Sequence, residues 1–185
     1  MKTYKELINI FEQANKNFLI KDRSLLYTQV SERTLCGALM LHINDIIKKD
    51  NSFNGYYVDV EYNRNKGAIK TIQKTIRDIQ EKILRVTCDL ILHSRGENLE
   101  QDNLIAVEMK KSTQAKAHKQ QDRERLMAMT KDTFDDVWSY DGKTLPEHVC
   151  RYVLGVYYEI NYNRRQILLE YYRKGKKEEQ HIVEF

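Results

Sequence analysis

Residues 86–112, VTCDLILHSRGENLEQDNLIAVEMKKS, place two apolar runs, CDLILH and NLIAVEMK, on either side of a polar, glycine-containing connection. That composition predicts two paired strands and the loop between them. Side chains alternate faces along a strand, so Asp89, Ile91 and His93 are expected on one face, and Ala106, Glu108 and Lys110 on one face of the next strand. Leu90, Leu92, Ile105, Val107 and Met109 then line the opposite face. A hairpin folding about Asn98 and Leu99 sets Asp89 across from Glu108. Two carboxylates and an ammonium converge near the middle of a sheet.

Carboxylates and lysines are rarely buried unless paired, so three of them inside apolar strands need a reason. Metal binding is one. Asp89, one oxygen of Glu108 and the Met109 carbonyl are hard oxygen donors suited to Mg²⁺ or Mn²⁺, with waters completing an octahedron. Lys110, facing the same way as Glu108, is placed to orient or deprotonate an attacking water and to balance phosphate charge. A plain ion-pair cluster, with Lys110 neutralising Asp89 and Glu108, is the other explanation, and spacing alone does not separate the two.

On the N-terminal side, Ile69, Ile72, Ile76, Ile79 and Ile83 recur at three- and four-residue steps, the spacing of a short helical seam. Such a seam packs on the sheet or on the same helix of a second subunit, so a homodimer is one expectation. Residues 56–63, YYVDVEYN, alternate as a strand, which makes Glu61 and, on the neighbouring hairpin, His93 candidates for additional site residues. Ser31 reads as the N-cap of a helix, followed by Leu35, Ala38, Leu39, His42, Ile43, Ile46 and Ile47, with Glu32 in its first turn. The helix dipole alone accounts for an acid there. His42, on or beside the apolar face, reads as a satisfied core histidine. Residues 2–19 predict a further amphipathic helix, so residues 1–30 read as an N-terminal helical addition.

On the C-terminal side, Lys110, Lys111, Lys116, Lys119, Arg123 and Arg125 form a basic segment that turns helical toward Leu126 and Met129. Lys111, Lys116, Lys119 and Arg123 suit a phosphate backbone, since each neutralised phosphate releases counterions; Asp122 can instead organise these cations. Residues 133–147 read as an irregular connection. RYVLGVYYEINY and RQILLEYYR predict a second hairpin turning at Asn161 to Arg164, and IVEF a short edge strand. Tyr157, Tyr158, Tyr162, Tyr171 and Tyr172 can stack on unpaired bases, or simply build strands, which tyrosine favours.

The chain has 185 residues, one proline and no evident linker, which predicts a single domain spanning 1–185. A charged fraction of 31% and a net charge of +4 give a mild attraction to polyanions and no more. Cys36, Cys88 and Cys150 are odd in number, far apart and set in apolar runs, so they read as reduced thiols rather than disulfides or zinc ligands. No signal peptide and no apolar run near the ~20 residues of a membrane span are seen, so no membrane partner is expected and the cytoplasm is the expected compartment. A phosphate loop, a HExxH helix and a GxSxG elbow are absent, which leaves P-loop hydrolysis, zinc proteolysis and serine hydrolysis without support.

The Asp89, Glu108 and Lys110 triplet, set in an αβββαβ order, resembles the PD-(D/E)xK nuclease superfamily, the restriction-endonuclease-like fold. VDVEYNR, DLILHSRG and NLIAVEMKKS are similar to a group of small bacterial proteins with this fold, over about residues 30–172. Cys88 stands where the motif usually has proline, which is not a ligand. The resemblance implies an α/β core at about 31–172, with a mixed central sheet flanked by helices. It implies that Asp89, Glu108, Lys110 and the helix acid Glu32 are catalytic, with Asp89, Glu108 and Met109 holding Mg²⁺ or Mn²⁺. The expected activity is metal-dependent hydrolysis of phosphodiester bonds in nucleic acid, with DNA the expected substrate. The alternative is a module that keeps the fold for nucleic-acid or protein binding, with the triplet idle.

Overall fold

The computed structural model describes residues 1–62, 88–132 and 151–185, and between 63 and 87 the backbone of four strands alone. Helix α1 (Tyr4–Lys21) starts at Thr3, whose hydroxyl accepts from the Glu6 N–H while Glu6 reaches back to the Thr3 N–H. Leu7, Phe11, Ala14 and Phe18 recur at helical spacing and are buried. The polar break at Lys21 is followed by a one-turn helix α2 (Arg23–Tyr27), and then by α3 (Glu32–Ile47), capped by Ser31 as its sequence predicts. His42 of α3 is a core histidine held by Asp22 at 2.5 Å.

Strand β1 (Tyr57–Val60) ends at Glu61, which takes a left-handed φ of 49° and breaks the alternation expected to continue to residue 63. Two short strands, β2 (Arg64–Asn65) and β3 (Ala68–Ile69), pair with each other. The stripe of isoleucines is not a helical seam: β4 (Thr71–Ile76) and β5 (Gln80–Arg85) pair antiparallel, with Ile72 opposite Leu84 and Gln73 opposite Ile83. Their Thr and Ile content favours strands, and that preference prevails over the 3–4 spacing. What these side chains pack against lies outside the described residues, as do residues 133–147 and Cys150.

The chain then forms β6 (Leu90–His93), β7 (Asn103–Lys111), helix α4 (Lys116–Met129), β8 (Leu154–Asn161), β9 (Gln166–Arg173) and β10 (Lys176–Glu184). Six strands make one mixed sheet in the order β1-β6-β7-β8-β9-β10, antiparallel except for β7 and β8. A parallel neighbour requires a crossover, and α4 belongs to it. The protein is therefore α/β, with helices on both faces of the sheet. On one face α1 and α3 close a core with Leu90, Leu92, Val107, Met109, Val156, Tyr158 and Leu169. On the other, Leu126 and Met129 of α4 meet Cys88, Ile91, Ala106, Tyr157 and Tyr172. Helix α1 is thus part of the main core, with Phe11 set edge-on to Tyr158 and Tyr171. No helix among the described residues is long and apolar enough to cross a membrane.

The first hairpin has the register its apolar pattern predicts. Leu90 lies opposite Val107 and Ile91 opposite Ala106, so the next step back sets Asp89 beside Glu108. A bulge between Leu92 and His93 shifts the far end by one residue. At the C-terminus, β8 and β9 pair as expected, but the edge strand is nine residues long rather than four. KKEEQHIVE has no apolar periodicity because this strand is exposed along most of its length.

Candidate active site

Strand β6 begins at Leu90, while β7 continues past Val107 to Lys111, so the last residues of β7 have no neighbour on that edge. Within a strand the N–H and C=O of one residue point to the same edge, and successive residues alternate. Even-numbered residues here turn to β8, as the Ser112 N–H does in donating to the Ile160 carbonyl at 2.8 Å. Met109 and Lys111 turn the other way. Two carboxylates occupy that notch: Asp89 Oδ2 accepts from the Met109 N–H at 2.8 Å, and Glu32 Oε1 accepts from the Lys111 N–H at 2.8 Å. The Met109 carbonyl shares that edge with both acids. Leaving such a donor buried and unpaired costs about 1–3 kcal/mol, so the acids also complete the sheet.

The side chains of Glu108 and Lys110 face α4. Glu108 is fully buried; Arg125 donates to its Oε1 at 2.6 Å and the Cys88 thiol donates to the same oxygen at 3.3 Å. Its other oxygen, Oε2, is buried with no hydrogen-bond partner. Lys110 Nζ stands 3.8 Å from Glu32, 3.7 Å from Asp89 and 3.6 Å from Asp122. Arg125 ties Asp122 in turn, at 3.2 Å. Sequence reasoning offered Asp122 as the organiser of these cations, which its contacts with Lys110 and Arg125 match, but placed Arg125 only within the basic segment and not against Glu108. Their signal was the three-residue spacing, which puts both on one helix face.

Four carboxylates, Glu32, Asp89, Glu108 and Asp122, thus face two cations, Lys110 and Arg125. With all six ionised, the excess equals the charge of one divalent cation. Burial and the crowding of carboxylates show in protonation. Burial pushes the Glu108 carboxyl up to about 8, with Asp89 and Asp122 adding to the shift against the pull of Arg125. Burial also raises Asp122 despite Lys110 and Arg125. Lys110 is pulled down by burial but raised more by its surrounding carboxylates, so it stays an ammonium. Burial holds the Cys88 thiol well above its ordinary range, with Glu108 and Asp89 adding, so it remains a donor.

Other candidates lie elsewhere. Glu61 is exposed and paired with Arg33, although its N–H reaches the Asp89 carbonyl at 3.2 Å. His93 sits at the other end of β6 from Asp89, bonded to Asp59 at 3.0 Å beside the Tyr62 ring. Lys111 points to the α3 side, donating to the Gln29 carbonyl at 3.1 Å. Lys119 pairs with Glu159 at 3.1 Å, and Arg123 pairs with Glu170 at 2.7 Å over the Tyr157 ring, so carboxylates already hold both. Lys116 is exposed. Tyr157, Tyr158, Tyr171 and Tyr172 are buried and cannot stack on bases; Tyr162 is partly buried.

Among the described residues, no group of three or more His, Cys, Asp and Glu side chains is arranged to hold a metal ion. Asp89, the unpartnered Oε2 of Glu108 and the Met109 carbonyl are hard oxygens at one strand end, the donor type that Mg²⁺ and Mn²⁺ prefer. Compared with known proteins, the chain matches no family model, no curated sequence and no solved structure.

Proposed function

We propose that the protein is a Mg²⁺- or Mn²⁺-dependent nuclease that hydrolyses phosphodiester bonds, with DNA as substrate, and that it belongs to the PD-(D/E)xK superfamily with its restriction-endonuclease-like fold. The observation that carries this reading is the gathering of four carboxylates around two cations at the end of β7, together with the buried, unpartnered Oε2 of Glu108. The succession α3, β1, β6, β7, α4, β8 supports it, being the αβββαβ order on which the resemblance rests once the small strands β2–β5 are set aside.

When bound, the divalent cation supplies charge neutralisation and polarisation at the scissile phosphate. Asp89, Glu108 and the Met109 carbonyl are the groups that would hold it. Lys110 is held by three carboxylates at 3.6–3.8 Å, which keeps its ammonium over the same strand end. From there it orients the attacking water and offsets the charge that develops on the phosphoryl oxygens. Glu32 fixes the last residue of β7 through the Lys111 N–H and so sets where Lys110 projects.

The test is cleavage of supercoiled plasmid, single-stranded DNA and RNA with Mg²⁺, with Mn²⁺ and with chelator. Cleavage that needs the ion and is strongest on DNA is the expected result. No cleavage of any substrate with either ion overturns the reading. A second reading, a nuclease-fold module that binds without cutting, is favoured by one observation: Lys110 and Arg125 already pair with all four acids. It predicts nucleic-acid or protein binding that is indifferent to divalent ions.

A further inference from the structure

Arg125 stands one helical turn beyond Asp122 on α4, outside the triplet that marks the site. It meets Glu108 through Oε1 only, at 2.6 Å, and the Cys88 thiol donates to that same oxygen at 3.3 Å. Both donors converge on one oxygen, while the other is buried and has none. A carboxylate gripped in this way cannot rotate freely, and its open oxygen keeps a fixed direction. The same guanidinium reaches Asp122 at 3.2 Å, and Asp122 Oδ2 lies 3.6 Å from the Lys110 ammonium. One face of α4 therefore braces both charged residues of the Glu108–Met109–Lys110 strand end.

We propose that Arg125 is a positioning residue of the divalent-metal site: it fixes Glu108 by Oε1, so that Oε2 keeps its direction toward the cation. The proposal rests on the nuclease reading above. Arg125 touches neither substrate nor cation; it acts through Glu108, in the way that partners behind a metal ligand orient it and raise its affinity.

Calorimetric titration of Mn²⁺ into the metal-free protein, with no nucleic acid present, tests this. Arg125→Met should weaken Mn²⁺ affinity by about 10- to 100-fold, the range for loss of such a partner. Arg125→Lys, which restores a charged donor, should recover part of it. Circular dichroism identifies variants that are folded. If Arg125→Met does not fold, Arg125→Gln, which keeps a donor without the charge, is titrated instead, and weakened affinity again supports the proposal. A folded Met or Gln variant with wild-type affinity overturns it and leaves the nuclease reading standing. A wild-type protein that binds neither Mn²⁺ nor Mg²⁺ overturns that reading, and the role of Arg125 with it.

Discussion

Lys110 separates an enzyme from a binding module. Lys110→Met keeps most of the apolar stem and removes the charge; on the nuclease reading the variant should still bind Mn²⁺ through Asp89 and Glu108, yet lose cleavage by about 10²-fold or more. A folded variant that cuts at the full rate would make Lys110 structural. Glu108 makes a second prediction, in pH. Its folded-state value of about 8 lies above the ordinary 4.5, so the fold favours the protonated form. The stability this contributes is complete below 4.5 and is lost as pH rises through 8. Metal-free protein should therefore resist denaturant better at about pH 5 than at about pH 8.5, and Glu108→Gln should flatten that dependence. Bound cation requires the ionised form, so stabilisation by added Mg²⁺ should grow over the same range. A stability profile in the Gln variant as steep as in wild type would show that Glu108 is not its source.

At the scale of elements, the position of α4 depends on Gly155 of β8. A Cβ there would lie 2.9 Å from Thr130 Cγ2 and 3.1 Å from Tyr172 Cβ. Gly155→Ala should cost about 1–3 kcal/mol as an overpacked contact. Adding Thr130→Ser, which removes the crowding methyl but keeps the hydroxyl that accepts from the Gly175 N–H, should recover much of the loss in denaturant titration. Additive losses in the double variant would mean the clash is not the cause. The first hairpin, the capped helix α3 and the second hairpin were legible in sequence because each has one apolar face of clear period. Asp89 and Glu108 were legible because the register follows from that pattern. The isoleucines of β4 and β5 misled because their spacing and their β-branched character point to different elements. Arg125 escaped because its partner is distant in sequence, and a charge on a polar helix reads as solvent-facing until the fold brings Glu108 beneath it.

For the molecule as a whole, a net charge of +4 overstates what is available to a polyanion. Lys119, Arg123 and Arg125 of α4 are each engaged by carboxylates of the sheet or of α4 itself. Arg123→Ala should thus act on stability: it leaves the nearly buried Glu170 short of its closest cation and should cost about 3 kcal/mol. The salt dependence of nucleic-acid binding should not change. Lys116→Ala should do the reverse, lowering the slope of log affinity against log salt by about one without shifting the melting temperature. A slope that falls with Arg123→Ala would assign phosphate contact to the wrong cation.

The notch beside β7 has a further consequence. Because the Met109 and Lys111 amides are bonded to the Asp89 and Glu32 carboxylates rather than to a neighbouring strand, whatever those carboxylates do is written onto two backbone resonances. Drawing either acid toward a cation weakens the bond its amide makes. Those two N–H signals should shift on titration with Mg²⁺ more than the β8-facing amides of Glu108 and Lys110. The protein thereby carries a built-in spectroscopic reporter of its own site, with no label attached.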